Sequence, residues 1–235
     1  MDLKKLAARL IPDENLPSLS DCEKAYPPRV LKEGAEVTRL APSPTGFIHL
    51  GNLYSALADE RAAHTTDGIF YLRIEDTDEK RKVEGAVESV IRSLKYFGIN
   101  FDEGAEIEGE NAYGPYYQRR RAPLYRAFAK DLIERGLAYP CFCTEEELDE
   151  IRRVQTEKKE ITGYYGEYAV WRDKGEEEIY AALDKGLPYV IRLKSQGDVN
   201  IKHTFRDAIK GSITVTENNQ DVVILKSDGI PTYHF

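Results

Sequence analysis

The spacing of apolar positions along residues 36–98 alternates between the period of a strand and the period of a helix. EVTRLAP predicts a strand, and the next segment predicts a helix from about residue 50 to residue 65. GIFYLRIED predicts a second strand, which is followed by a helix over about residues 79–97 with one apolar face. Strand, helix, strand and helix in succession are typical of a parallel sheet with right-handed crossovers.

The pattern changes in the second half of the chain, where helices no longer alternate with strands. RRAPLYRAFAKDLIERG predicts a helix that ends at Gly136, and Thr144 with Glu147 has the spacing of a capping box. A further helix is expected in EEEIYAALDKG, and strands are expected in AYPCFC, YVIRLKS, GSITVTE and DVVILKS. This order predicts an α+β module inserted between parts of the first domain.

Composition and charge narrow the class of protein. The 235 residues are 41% hydrophobic and 31% charged, which is ordinary for a soluble globular protein. The formal net charge of −8 gives no overall basic footprint for nucleic acid, although a local basic face remains compatible with it. No apolar run approaches the roughly 20 residues of a spanning helix, and the N-terminus lacks a secretion signal. We therefore expect a cytoplasmic protein that binds neither DNA nor a membrane.

The segment APSPTGFIHLGN, at residues 41–52, is a candidate phosphate site. It leads from the first predicted strand into the first predicted helix, whose N-terminus offers free backbone N–H groups and a positive dipole end. Gly46 and Gly51 allow close approach of a ligand, and His49 is placed to donate a hydrogen bond to it. On spacing alone, an ordinary turn with a capping histidine fits equally well. Neither of the common glycine-rich nucleotide motifs occurs here.

Longer motifs identify a family. TRLAPSPTGFIHLGN, followed by YLRIEDTDEKR, resembles the N-terminal catalytic half of bacterial-type glutamyl-tRNA synthetases, class I enzymes whose H-x-G-H motif contacts ATP. The likeness continues in family order through YGPYYQ, LIERGLAYPCFCTEEEL, YVIRLK and DVVILKSDGIPTYHF, so that it covers about residues 36–235. The APSPTG and RIEDTD blocks favour the glutamyl branch over the glutaminyl branch.

The resemblance implies a glutamate site. Arg39 is expected to pair with the side-chain carboxylate of glutamate, because a planar guanidinium matches a carboxylate with two hydrogen bonds. Ser43 and Glu75 are expected to hold the α-amino group, and Tyr233 to line the pocket. Without the resemblance, Arg39 would be interpreted as a surface ion pair, Glu75 as part of a solvated turn and Tyr233 as a core aromatic residue.

The resemblance also implies an ATP site with a catalytic histidine. His49 and Gly51 match the first and third positions of H-x-G-H and are expected to contact ATP, together with Thr45, Gly46 and Asn52. Asn52 stands where the motif has its last histidine. Since asparagine can donate a hydrogen bond but carries no charge, part of the phosphate stabilisation should be weaker or come from elsewhere.

The implied fold is a Rossmann-like parallel sheet, the nucleotide-binding fold of class I synthetases, with an inserted α+β acceptor-binding module. We expect an N-terminal extension over residues 1–35 and the first part of the catalytic domain over residues 36–114. The inserted module is expected over residues 115–225, and a return to the catalytic domain over residues 226–235. A KMSKS-like loop and an anticodon-binding region would lie beyond residue 235, so we expect an N-terminal fragment that is inactive alone.

The implied activity is ligation of glutamate to tRNA(Glu). ATP, with Mg²⁺, activates glutamate, and the glutamyl group then passes to the 3′ end of the tRNA without a covalent protein intermediate. The expected partners are tRNA(Glu), glutamate and ATP, and a monomer is expected. Zinc is not expected: some relatives bind it through C-x-C and a second pair about two dozen residues later, but here Cys141 and Cys143 are followed by Tyr168 and Val170 at that spacing.

Three other functions stay open at this point. One is a short tRNA-modifying relative, the glutamyl-queuosine tRNA(Asp) synthetase type, which usually keeps the zinc cysteines and lacks a long N-terminal extension. Another is a non-catalytic fragment that binds ATP or tRNA. A small-molecule nucleotidyltransferase is more remote, because the RIEDTD and PTYH blocks argue against it. The arginines of QRRRAPLYRAFAK fit a solvated helix face and a set of phosphate contacts equally well.

Overall fold

The computed structural model describes residues 2–12, 15–105 and 113–235. The helices are α1 (Leu3–Leu10), α2 (Leu19–Ala25), α3 (Leu50–Thr65), α4 (Ala86–Tyr96), α5 (Ala122–Glu134), α6 (Glu145–Glu157) and α7 (Glu176–Asp184). The strands are β1 (Val37–Leu40), β2 (Ile69–Leu72), β3 (Glu103–Gly104), β4 (Ala138–Cys141), β5 (Val190–Leu193), β6 (Lys202–Asp207), β7 (Gly211–Thr216) and β8 (Val223–Leu225). The chain divides into a parallel-sheet unit, residues 15–127, and an antiparallel-sheet unit, residues 1–14 with 128–235.

The parallel-sheet unit is built on three strands in the order β1-β2-β3. Both pairings are parallel, with Arg39 opposite Tyr71 and Leu40 opposite Leu72 in the first pair. Helix α3 connects β1 to β2, and α4 connects β2 to β3. The predicted α/β fold with a parallel sheet is therefore confirmed, and α3 occupies the predicted range.

The core of this unit lies between the sheet and the two crossover helices. Helix α3 contributes small residues, Ala56 and Ala63, which allow the helix to lie close to the strands. The other residues of the core come from the strands, from α4 and from the segments around β3. They are Leu40, Phe70, Leu72, Ile74, Val90, Leu94, Ile99, Ala105 and Tyr116. This core fixes the position of the strand ends from which the candidate site residues project.

The second crossover helix begins later than its apolar pattern predicts. A short 3₁₀ turn occupies Glu79–Arg81, and α4 starts only at Ala86, after Gly85 adopts a left-handed conformation with φ 74°. The intervening chain is drawn to the loop after β1, where the Val83 N–H donates to the Pro44 carbonyl at 2.8 Å. The predicted start near residue 79 was wrong because this hydrogen bond is tertiary and has no helical period.

The antiparallel-sheet unit contains the sheet β4-β5-β8 and a separate hairpin, β6-β7. Strands were expected in the segments that hold β4, β5, β7 and β8, and the structure confirms them. Strand β6 was not predicted. It is exposed along nearly its whole length, so it has no apolar alternation, and its partner β7 holds it residue by residue from Lys202 to Asp207.

The N-terminal residues contribute to both units. Helix α1 belongs to the antiparallel-sheet unit and buries Leu6, Ala7 and Leu10, while the Tyr189 hydroxyl donates to the Leu10 carbonyl at 2.8 Å. Residues 15–35, including the unpredicted α2, belong to the parallel-sheet unit. None of the helices in the described ranges is long and apolar enough to cross a membrane.

An ion pair fastens the segment after α2 to the edge of the parallel sheet. The Arg29 guanidinium donates to both oxygens of Glu103, in β3, at 2.5 and 2.6 Å, and the two side chains are only 17% and 18% exposed. Arg29 also lies 3.8 Å from the centre of the Tyr113 ring, and the Tyr116 hydroxyl donates to Glu103. The hydrogen bond from Arg29 lowers the pKa of Glu103.

Replacing Glu103 by glutamine should make stability less dependent on pH. Because the pKa of Glu103 is lowered in the folded state, its stabilisation is complete above the unfolded value of about 4.3 and is lost as the pH falls through the folded value. We expect Glu103→Gln to lower the free energy of unfolding by about 1–3 kcal/mol at pH 7, and by much less at pH 3. Urea unfolding followed by circular dichroism measures both. Glu33→Gln, an exposed change, is the control, and a Glu103→Gln deficit that stays constant with pH would contradict the assignment.

Candidate active site

The loop over residues 41–49 joins β1 to α3 and is paired with the chain that leaves β2. The Arg73 N–H donates to the Leu40 carbonyl and the Glu75 N–H donates to the Pro42 carbonyl, both at 3.0 Å. Parallel pairing thus continues past the ends of the two strands. Side chains at the ends of β1 and β2 are brought to the same edge of the sheet as a result.

Three charged side chains meet at this edge. Glu75 Oε1 lies 2.8 Å from Arg73 Nη2 and 3.7 Å from Arg39 Nη1. The Arg73 contact is a hydrogen bond, whereas the Arg39 contact is longer than one. Arg39 is 39% exposed and Glu75 18%. Arg73 therefore holds the carboxylate, and Arg39 keeps an accessible guanidinium beside it.

Asp59, in α3, is a second carboxylate near Arg39. Burial raises the pKa of Asp59, and the positive charge of Arg39 opposes that rise. The Thr38 hydroxyl donates to the Asp59 carbonyl at 2.7 Å, which fixes this turn of α3 against β1. Sequence reasoning missed both Asp59 and Arg73. The regular step from Tyr71, which pairs with Arg39, to Arg73 on the same face of the strand was an available signal for the latter.

The predicted site residues on the loop over residues 41–49 differ in exposure. Ser43 is exposed and directly follows Pro42, whose carbonyl binds the Glu75 backbone. Thr45 and Gly46 are half-buried. Of the residues predicted to bind glutamate, Ser43 is thus brought next to the Glu75 segment by the backbone pairing.

The start of α3 is held by the residue at the last position of the motif. His49 is the N-cap, with extended backbone (φ −114°, ψ 169°), and its N–H donates to Asn52 Oδ1 at 3.3 Å. The Leu53 N–H donates to the His49 carbonyl at 3.2 Å, as the first bond of the helix. Asn52 therefore caps the N-terminal turn, a role that its neutral amide fills without a charge.

Gly51 is required by the position of the His49 ring. A Cβ atom at residue 51 would lie 3.0 Å from His49 Cε1 and 3.1 Å from Nδ1, which is tighter than ordinary contact. The imidazole therefore folds back over the first turn of α3, and a side chain at residue 51 would shift it by a few tenths of an ångström. His49 itself is exposed, so its ring faces the solvent beside the free N–H groups of the helix.

The predicted site residues divide between the two units. Eight of them, Arg39, Ser43, Thr45, Gly46, His49, Gly51, Asn52 and Glu75, lie in the parallel-sheet unit. Tyr233 lies in the antiparallel-sheet unit after β8, where it is 72% exposed and its ring centre is 3.9 Å from that of His234. There it lines a cavity of about 420 Å³ together with Arg192 and Thr232.

A second cavity, of about 470 Å³, lies against the loop within the parallel-sheet unit. Its lining includes Pro44, Asp76, Tyr117, Arg119 and Arg120. Asp76 Oδ1 accepts a hydrogen bond from the Arg119 N–H at 2.8 Å, and the Arg120 guanidinium lies 4.4 Å from the centre of the Tyr117 ring. Two arginines of QRRRAPLYRAFAK, residues 118–130, thus line a cavity next to the candidate site.

Comparison with known families agrees with this geometry. The model of the class I tRNA synthetases (E and Q), catalytic domain, matches residues 36–235. The chain belongs to this family. The resemblance inferred from the motifs is thereby confirmed, and the parallel sheet with its loop at residues 41–49 is part of a class I synthetase catalytic domain.

Two curated relatives of this synthetase chain are glutamate–tRNA ligases. The protein of Acetivibrio thermocellus is 54% identical over 236 residues, which include 100% of this chain and 43% of the relative. That of Clostridium beijerinckii is 55% identical over 212 residues, 89% of this chain and 38% of the relative. A crystal structure of a glutamate tRNA ligase from Elizabethkingia meningosepticum, in complex with its amino acid, matches with a TM-score of 0.74 and 37% identity over 86% of this chain and 40% of that one. The chain thus spans about 40% of the length of these relatives.

Replacing Gly51 by alanine should move the His49 ring without weakening the fold. Alanine favours helix over glycine by up to about 1 kcal/mol, so the melting temperature should not fall. The ring, however, must shift by a few tenths of an ångström to make room for the new methyl group. We expect the imidazole resonances of His49, assigned by comparison with His49→Gln, to shift in the NMR spectrum of Gly51→Ala. Ser55→Ala, an exposed change on the same helix, should leave them in place, and unchanged resonances in Gly51→Ala would contradict the position of the ring.

Proposed function

We propose that the protein carrying this chain ligates glutamate to tRNA(Glu). The observation that carries the proposal is the pair of sites on the parallel-sheet unit: Arg39 beside Glu75 at the sheet edge, and His49 over Gly51 at the start of α3. One is suited to an amino acid with a second carboxylate, and the other to a polyphosphate. The family and the glutamate–tRNA ligases among its relatives support the same assignment.

The glutamate half of the proposed site relies on charge. Arg39 binds the side-chain carboxylate of glutamate with its planar guanidinium. Glu75 accepts hydrogen bonds from the α-ammonium group, and Arg73 orients the Glu75 carboxylate through its hydrogen bond at 2.8 Å. Ser43 supplies a second acceptor for the ammonium group. From the resemblance of the PTYH block alone, Tyr233 is also proposed to line the glutamate pocket.

The ATP half relies on the loop and the helix N-terminus. His49 donates to a phosphate oxygen from its exposed ring, and the absence of a side chain at Gly51 leaves room for that ring. Thr45 and Gly46 contribute backbone N–H groups on the loop. Asn52 acts through its cap on the first turn of α3, so that the free N–H groups of the helix face the nucleotide. ATP would bring its Mg²⁺, which offsets charge on the phosphates.

The proposed chemistry needs positioning and charge stabilisation from the protein. An oxygen of the glutamate α-carboxylate attacks the α-phosphorus of ATP in line, the bond to the bridging oxygen breaks, and pyrophosphate leaves. A 3′-terminal ribose hydroxyl of the tRNA then attacks the activated carbonyl, and AMP leaves. His49 stabilises negative charge that develops on the phosphate oxygens in the first step.

The remaining parts of the assignment rest on the family. We propose that residues 36–114 and 226–235 belong to the catalytic domain, that residues 115–225 form the acceptor-binding module for tRNA, and that residues 1–35 are an extension. We also propose, from the family, that the protein is a cytoplasmic monomer. The tRNA-modifying alternative is not favoured, because the similar curated proteins are glutamate–tRNA ligases. The other alternative is a non-catalytic fragment that binds ATP or tRNA, and an activity assay distinguishes it from the proposed ligase.

A hybrid protein provides the test of activity. In it, this chain replaces the matching 43% of the Acetivibrio thermocellus relative, to which it is 54% identical. We expect the hybrid to attach labelled glutamate to tRNA(Glu). His49→Ala in the hybrid should slow this at least about a hundredfold, since removal of one well-placed donor costs about 2.7–4 kcal/mol.

The matched control is His64→Gln, at the other end of α3. His64 pairs with Asp102 at 3.0 Å, away from the loop, and glutamine can keep a hydrogen bond there. Its charging rate should stay close to that of the unmodified hybrid. A hybrid that folds and binds ATP but attaches no glutamate would refute the proposed function, and equal rates for His49→Ala and the control would refute the role of His49.

A further inference from the structure

The hydroxyl group of Tyr164 lies between two cysteine side chains in the antiparallel-sheet unit. Tyr164 Oη is 3.4 Å from Cys141 Sγ and 3.4 Å from Cys143 Sγ. Cys141 ends β4 and is buried, Cys143 is half-buried, and Tyr164 comes from a loop more than twenty residues later. One phenol thus contacts both thiols of the C-x-C pair.

The same hydroxyl group reaches a third part of the chain. The Trp171 N–H donates to Tyr164 Oη at 3.1 Å, and Trp171 packs on Phe142, the residue between the cysteines, with ring centres 4.7 Å apart. Arg192, in β5, lies 3.9 Å from the centre of the Tyr164 ring. Tyr164 therefore joins the end of β4, the segment at Trp171 and the face of β5.

These residues do not fit the zinc ion that some members of the family bind at this C-x-C. A structural zinc site needs four donors in tetrahedral geometry. Of the two positions at the ligand spacing, Val170 offers no donor, and the Tyr168 hydroxyl donates to Glu160 at 2.7 Å and accepts from Lys158 at 3.1 Å on the surface. Residues 2–12, 15–105 and 113–235 contain no group of three histidine, cysteine or acidic residues that could hold a metal.

We propose that Tyr164 performs, without a metal, the cross-linking that a zinc ion performs in other members of the family. A phenol has one proton and two acceptor lone pairs, so it can donate to one sulfur and accept from the other thiol and from the Trp171 N–H. The core residues around it, which include Tyr139, Cys141 and Ala169, bury the Tyr164 side chain, which is 5% exposed. The proposal is independent of the catalytic function proposed above.

The electrostatics of the pair agree with a closed hydrogen-bonded cluster. The hydrogen bond from Cys143, followed by that from Tyr164, lowers the pKa of Cys141 despite its burial. The hydrogen bond with Cys141 raises the pKa of Cys143. The ionisation of each cysteine therefore depends on its neighbours in the cluster.

The test compares removal of two neighbouring hydroxyl groups. Trp171 is the single tryptophan of the chain and lies beside the cluster, so its fluorescence during urea unfolding reports on this unit. Tyr164→Phe should lower the equilibrium constant for folding about tenfold to a hundredfold, because it leaves buried partners unsatisfied. Tyr165→Phe is the matched control. The Tyr165 hydroxyl makes one exposed bond, to the Ile161 carbonyl at 2.6 Å, so its loss should change folding by much less.

The metal arm uses the 235-residue chain without substitution. We expect less than a tenth of an equivalent of zinc by elemental analysis, and the same unfolding midpoint with a chelator or with added Zn²⁺. One equivalent of zinc that raises the midpoint would overturn the proposal. So would equal effects of Tyr164→Phe and Tyr165→Phe.

A double substitution keeps the test decisive if Tyr164→Phe alone does not fold. Cys143→Ala is measured alone and with Tyr164→Phe, whether or not Tyr164→Phe folds by itself. A cross-link requires that Cys143→Ala shift the midpoint downward and that the double variant lose less than the sum of the two single losses, or, where Tyr164→Phe is unfolded, that Cys143→Ala restore its folding in part. Additive losses, or a Cys143→Ala midpoint equal to that of the unmodified chain, would overturn the cross-link.

Discussion

The candidate active site depends on one backbone hydrogen bond, from the Glu75 N–H to the Pro42 carbonyl at 3.0 Å. It carries the parallel register of β1 and β2 past the ends of both strands. A slip of one residue would turn every side chain of one strand to the opposite face. The bond thereby determines that Glu75, rather than a neighbour, lies 3.7 Å from Arg39.

In the parallel-sheet unit, the Glu75 carboxylate and His49 are positioned by different neighbours. The carboxylate of Glu75 is held from behind by Arg73, which leaves the Arg39 guanidinium accessible for a second carboxylate. The Asn52 cap fixes the backbone of His49, and the missing side chain at Gly51 leaves room for the His49 ring over the first turn of α3. Both supports sit on rigid elements, the sheet edge and the first turn of α3, which is the arrangement that a site for positioning two reactants requires.

Local sequence patterns were sufficient to predict part of the fold and part of the candidate site, but not all of either. The range of α3 and the parallel order of β1 and β2 follow from apolar period, and the motif resemblance indicated Arg39, Glu75 and His49. The late start of α4 did not follow because it is set by a hydrogen bond to the loop after β1, and strand β6 did not follow because it is exposed and has no apolar alternation. Asp59 was missed because its importance comes from the Arg39 guanidinium that it approaches in space, whereas Arg73 could have been found from its register step after Tyr71. The structural roles of Asn52 and Tyr164 likewise depend on contacts that their sequence motifs do not indicate.

A crystal structure of the hybrid protein with glutamate bound is the most direct test of the central claim that Arg39 and Glu75 form a glutamate site. The expected result is a glutamate side-chain carboxylate on the Arg39 guanidinium and an α-ammonium group on Glu75, with the Arg73–Glu75 hydrogen bond kept near 2.8 Å. A glutamate bound elsewhere, with the Arg39–Glu75 separation unchanged and no ligand contact to either residue, would contradict it.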